Sequence, residues 1–192
     1  MQNFVKLGVI ASLGIGSTAL AAEGVSHTFV EAGYGYSEVM AGAADGDGYA
    51  LAASYELPSN FIVRASYQDF SYSNGADDLT DLSAGLGYKF ALGSAFDVVG
   101  GASFERLESG GFDTDGFGLG VVATGRLTDQ FELSAGLKYR DLADVPSYFE
   151  TTLAGRYYVK PQFSVGLDVS KGELGFALTT FVAKLRYDFG QR

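Results

Sequence analysis

Along most of the chain, apolar and polar residues alternate strictly. Val63, Ala65 and Tyr67 alternate with Arg64, Ser66 and Gln68, and Leu82, Ala84, Leu86, Tyr88 and Phe90 alternate with Asp81, Ser83, Gly85, Gly87 and Lys89. A period of two places successive side chains on opposite faces of a β-strand and has no helical counterpart. The alternating runs are punctuated by a recurring turn, an aliphatic residue followed by three turn-formers and then Phe: 57-LPSNF-61, 92-LGSAF-96, 127-LTDQF-131 and 159-VKPQF-163. The four phenylalanines are 35, 35 and 32 residues apart, room for two long strands, one tight turn and one longer loop per unit. Extending the spacing to both ends predicts five hairpins, with ten strands near 27–37, 47–57, 61–72, 79–90, 95–107, 115–127, 131–140, 148–159, 162–170 and 177–189. Strands of this length cross a bilayer at a tilt of about 45°. Helical repeats of similar period lack this rhythm, and a propeller blade divides its period among four short strands.

The composition of the two faces decides which one is inside. At mid-strand the polar face carries Ala52 and Ser54, Ser83 and Gly85, Gly101 and Ser103, Gly118 and Gly120, Ser134 and Gly136, and Ser164 and Gly166. Glycine weakens a strand and packs nothing, so such a face suits a narrow interior better than a water-facing surface. The same face takes nine acids and eight bases, near the balance that enclosed charges require. The expected lumen network is Glu31, Arg64, Asp81, Lys89, Asp97, Glu105, Arg126, Glu132, Lys138, Glu150, Arg156, Asp168, Lys184 and Arg186, with Glu56, Arg140 and Asp188 on the same face. The apolar face is banded, aliphatic in the middle and aromatic near the ends. On the turn side the belt is Tyr55, Phe61, Tyr88, Phe96, Phe131, Tyr157, Phe163, Tyr187 and Phe189; on the loop side it is Tyr34, Tyr49, Tyr67, Phe104, Phe117, Tyr139 and Phe149. Aromatic rings favour the headgroup level of a bilayer. The predicted fold is therefore all-β, an antiparallel up-and-down transmembrane β-barrel of ten strands, with eight strands or a soluble periplasmic barrel as alternatives.

The first 21 residues depart from the pattern. One early Lys precedes the mostly apolar 7-LGVIASLGIGSTALA-21, and Ala19-Leu20-Ala21 fits a small-x-small cleavage rule. Residues 1–21 are expected to be a signal peptide cut before Ala22, and 22–192 the barrel. The chain has no Cys, a single His (His27) and a net charge of −10. These exclude a disulfide frame and a thiolate metal site, and they argue against nucleic acid as a partner. Gly116, Gly118 and Gly120 form a GxGxG along a strand, not at a strand-to-helix turn, and read as lumen packing. Asp45-Gly-Asp47-Gly and Asp113-Thr-Asp115-Gly begin like calcium loops but lack the sixth-position Gly or the twelfth-position acid. With His27 on the periplasmic side, no outward-facing His remains for hydrolysis, and neither an enzyme nor a cofactor is expected.

The predicted loops hold Glu38, Asp45, Asp47, Asp69, Asp77, Asp78, Glu108, Asp113, Asp115, Asp141, Asp144 and Glu173 against Arg106 and Lys171 alone. Such a rim would gather divalent cations and meet lipopolysaccharide phosphates. The segments 45-DGDGY-49, 86-LGY-88, 113-DTDGF-117 and 183-AKLRYDF-189 give the whole chain a resemblance to the small outer-membrane β-barrel proteins of gammaproteobacteria, and within them to the branch discussed as a source of secreted signalling or immunity-eliciting factors. The resemblance implies bacterial outer-membrane localisation, insertion by the barrel-assembly machinery through 183–189, and lipid and lipopolysaccharide as surroundings. Two functions are expected from these features: a structural or surface-interaction barrel with a charge-filled lumen, or a narrow passive porin-like channel favouring cations.

Overall fold

The computed structural model describes residues 24–39, 44–73, 77–173 and 177–189; the expected signal peptide with its cleavage site and the tail 190–192 lie outside them. Ten strands follow one another: β1 (Phe29–Val39), β2 (Ala44–Glu56), β3 (Phe61–Tyr72), β4 (Leu79–Ala91), β5 (Phe96–Ser109), β6 (Phe112–Thr128), β7 (Phe131–Leu142), β8 (Tyr148–Lys160), β9 (Phe163–Glu173) and β10 (Ala177–Asp188). Each pairs antiparallel with its sequence neighbours, and β10 pairs with β1, so the sheet closes and has no free edge. Successive pairings lead from Phe29, at the turn end of β1, through Ser54, Arg64, Gly85, Ser103, Gly118 and Arg140 to Tyr148 at the loop end of β8. The hydrogen-bonding direction thus climbs the wall, which means that the strands are tilted.

The four Phe-closed turns join β2 to β3, β4 to β5, β6 to β7 and β8 to β9 at one end of the barrel. At the first of them Ser59 and Asn60 take left-handed conformations (φ 68° and 67°) directly after Pro58, which closes the turn tightly. The opposite end is trimmer than the sequence pattern suggests. β5 and β6 run on to a two-residue turn at Gly110 and Gly111, both at positive φ (55° and 85°), as a type I′ hairpin requires.

Two corrections to the sequence reading follow. Glu38, Asp45, Asp47, Asp69, Glu108, Asp113, Asp115, Asp141 and Glu173 are strand residues, as are Arg106 and Lys171; of the acids assigned to loops, Asp77, Asp78 and Asp144 lie in connections. Asp47, Asp69, Asp115 and Arg106 already fall inside the expected strand ranges although counted with the rim; for the others, Asp and Gly are poor strand formers, so the pattern alone ended the strands early, whereas continuous pairing with a neighbour extends them. Secondly, β1 begins at Phe29, and Gly24–Thr28 forms no strand.

The exterior is apolar. Leu51, Leu86, Leu119 and Leu153 are exposed near mid-strand and Val30, Val63, Leu133 and Leu185 nearer the turn end, with exposed aromatics including Tyr34, Tyr55, Phe61, Tyr88, Phe104, Phe131, Phe149, Tyr157 and Tyr187 towards the strand ends. Rings pack edge-on both between adjacent strands, Phe61 against Tyr88 at 5.2 Å between centroids, and along one segment, Tyr187 against Phe189 at 5.0 Å. Phe90 belongs with them, 4.9 Å from Tyr88, although it was not counted in the belt from sequence.

A charged lumen as the candidate functional site

The inward face is built in layers. At the turn end, Gly24–Thr28 runs beneath the barrel as a strap. Thr28 receives hydrogen bonds at its carbonyl from the Phe189 N–H (2.9 Å) and at its hydroxyl from the Glu56 N–H (3.1 Å). Arg186 donates to the Ser26 carbonyl, and His27 Nε2 lies 3.1 Å from Asp97 Oδ2 at the base of β5, four strands away from β1. Val25, His27 and Phe29 are buried. Burial holds the His27 imidazole below its ordinary pKa even though Asp97 and Glu56 pull it up; Lys89 adds to the lowering.

Above the strap lies a chain of ion pairs on β1 and β7 to β10. Glu31 accepts from Lys184 (3.0 Å) and Arg156 (2.9 Å), and Lys184 also meets Asp168 (2.6 Å). Arg156 reaches Glu132 at 3.1 Å; Glu132 further accepts from the Tyr158 hydroxyl at 3.0 Å. Arg186 pairs with Asp188 at 2.6 Å and stacks 3.6 Å from the Phe29 ring centroid. Arg126 stacks on Tyr158 and donates to the Asp129 carbonyl. Lys89 pairs with Glu56.

A second cluster sits on the opposite wall, nearer the loops. Glu105 is fully buried and is met by Ser83 (2.9 Å), Ser103, Lys138 (2.9 Å) and Arg140 (2.8 Å). Arg140 also holds Asp81 through both terminal nitrogens, at 2.5 and 2.9 Å, and approaches Glu150 at 3.4 Å. Gly118 makes room for this: a Cβ there would lie 2.7 Å from Glu105 Oε1 and 2.8 Å from Ser103 Oγ.

Of the charged residues singled out from the sequence, Glu31, Glu132, Arg156, Asp168, Lys184 and Arg186 meet in the first cluster and Asp81, Glu105, Lys138 and Glu150 in the second. Asp97 and Lys89 find partners near the floor, and Arg126 stacks beside the first cluster. Arg64 joins neither; it stands 5.9 Å from the Phe29 ring with no ion pair among the described residues. The sequence reading passed over Arg140 as hub, Tyr158 as a buried donor, and the strap. Nothing in a strand pattern marks which inward base will face several acids across the lumen.

It also missed two apolar clusters toward the loop end of the lumen, the first beside hydrogen-bonded Ser37 and Thr180. Ala50, Phe70 and Val182 pack together with Tyr72, and Leu107, Leu142 and Tyr148 with Leu79 and Val145. Between the ends lies a cavity of about 350 Å³.

A closed barrel with a lipid-facing exterior and enclosed charges defines a transmembrane β-barrel of the bacterial outer membrane. Solved structures share this fold. An outer membrane channel from Pseudomonas putida F1 has a TM-score of 0.57 at 9% identity, covering 90% of this chain and 100% of that one. The beta domain of the Bordetella autotransporter BrkA has a TM-score of 0.51 at 10% identity, covering 84% and 99%. Neisserial surface protein A has a TM-score of 0.48 at 14% identity, covering 85% and 98%. No family model and no curated protein matches the chain.

Proposed function

We infer that this protein is a structural or surface-interaction barrel of the outer membrane whose lumen is closed at rest. The strap carries this reading, because it ties the base of β1 to β5 beneath the ion pairs through His27 and Asp97. The layer above it is cross-linked by shared partners, Glu31 between Lys184 and Arg156 and Arg156 between Glu31 and Glu132, and such groups do not part without exposing unpaired charge. Enzymatic chemistry has no candidate residues in this reading. Residues 1–21 serve as the export signal, and the full-length resemblance supports membership of the small gammaproteobacterial barrels.

The acids beyond the loop-side belt support contact with lipopolysaccharide. Asp45, Asp47 and Asp69 share the outward face with Tyr34, Tyr49 and Tyr67, which donate hydroxyl hydrogen bonds to Asp47 or Asp69. Among the described residues no group of three or more ligands can hold a metal ion, so a divalent cation here would be shared with lipid phosphates. The alternative, a narrow passive channel favouring cations, draws support from the lumen cavity.

Planar-bilayer conductance separates the two functions. A silent wild type, with openings appearing once Gly24–Thr28 is deleted, supports the closed barrel. Steady cation-selective openings in the wild type overturn it in favour of the channel.

A further inference from the structure

The lumen cavity is bounded by Val25 and His27 at the turn end and by Phe70, Leu107 and Tyr148 at the loop end. Its wall on β2 and β3 carries Ser54, Ser66, Gln68 and one charge, Arg64. Lys89, Lys138, Arg140, Arg156, Lys184 and Arg186 each touch a carboxylate. Arg64 touches none among the described residues and is exposed inside the barrel. Glu31, the acid whose field it shares, is already engaged by Lys184 and Arg156. The three carboxylates of the second cluster are gathered around Arg140 and Lys138. The cross-strand neighbours of Arg64 are Ser54, which offers a hydroxyl, and Gly85, which has no side chain to cover the guanidinium.

The geometry points to a binding subsite for a small oxyanion at Arg64, with Ser54 and Ser66 beside it. The guanidinium fork matches the two oxygens of a carboxylate or phosphate, and a lumen charge that faces the Phe29 ring but no carboxylate among the described residues leaves that fork open to a mobile anion. The cavity volume is at the small end of ligand pockets, so the ligand is a small molecule and not a polymer. The inference does not rest on the lumen being closed, since an electrically silent barrel and a conducting one can both hold an anion.

The test uses the full protein purified in detergent, with its folded state confirmed by heat-modifiable gel mobility. Trifluoroacetate, followed by fluorine NMR, probes the carboxylate and inorganic phosphate, followed by phosphorus NMR, the phosphate. Saturable line broadening of either probe is expected in the wild type. Binding should weaken about tenfold or more in Arg64→Gln, as loss of a charge-assisted bond implies. Arg64→Lys should keep part of it, and Lys171→Gln, on the outer wall, should keep all of it. Absence of saturable binding of both probes in the wild type, or binding that survives Arg64→Gln, would overturn the assignment. If Arg64→Gln does not fold, Arg64→Lys binding as tightly as wild type would do the same, because a point charge does not reproduce the fork.

Discussion

The two ends of the lumen are filled by opposite chemistry. At the turn end a strap and a chain of ion pairs occupy the interior, with Glu132 and Asp188 almost wholly buried. At the loop end the same inward face carries Phe70, Leu107, Leu142, Tyr148 and Val182, packed as two apolar clusters on opposite walls. Ion pairs hold the first end in one arrangement, whereas at the second the apolar contacts are held mainly by neutral bonds such as Tyr72 to Ser37 and Ser37 to Thr180, which tolerate partial opening more readily. The comparison suggests that any movement of the barrel begins at the loop end, and that the turn end keeps the barrel in register.

Breaking the turn end should have the largest effect. Glu132→Ala leaves Arg156 short of a carboxylate and removes the acceptor of the Tyr158 hydroxyl bond, and equilibrium unfolding in urea should show a loss of about 3–5 kcal/mol. A smaller loss would mean that water already solvates this layer. At the loop end Leu107→Ala removes the centre of one apolar cluster, with an expected cost of about 2–5 kcal/mol. Hydrogen exchange should then rise around β4, β5 and β8 and leave β10 protected. On the outer wall Leu86→Arg should cost about 2–4 kcal/mol in a bilayer, and a neutral result would remove lipid from that face.

Acid offers a gentler probe of the strap. His27 is held neutral below its ordinary pKa of 6.5 by burial, so the unfolded chain takes up protons first as the pH falls. Its stabilising contribution is complete above 6.5 and declines as the pH drops through the lowered folded value. Exchange protection of the Glu56 and Phe189 amides, which donate to Thr28 of the strap, should therefore fall on acidification, and His27→Gln should flatten that dependence. The smallest effect belongs to the exposed Arg106, paired with Glu108 and Asp113 at 2.8 and 2.7 Å; Arg106→Gln should cost under about 1 kcal/mol and even less in high salt.

Strand number, closure into an up-and-down barrel and the lipid-facing belt were legible in the chain because they rest on a period of two and on recurrent turn residues, both local signals. The inward placement of small and charged residues was equally readable from composition. Partner choice was not. Arg140 meets Asp81 across three strands and Arg156 meets Glu31 across another three, distances set by barrel tilt and curvature and not by any spacing in the chain. The strap was illegible for the same reason, since His27 finds Asp97 only because closure brings β1 opposite β5. The extension of β5 and β6 to Gly110 and Gly111 was hidden beneath Asp and Gly residues of low strand propensity. By itself, then, the sequence determined which residues face lipid and which face the lumen, because alternation is a property of the strand. Only the tertiary structure decided which charges meet, which end is apolar and why Arg64 stands apart, because those contacts depend on the radius and tilt of the closed wall.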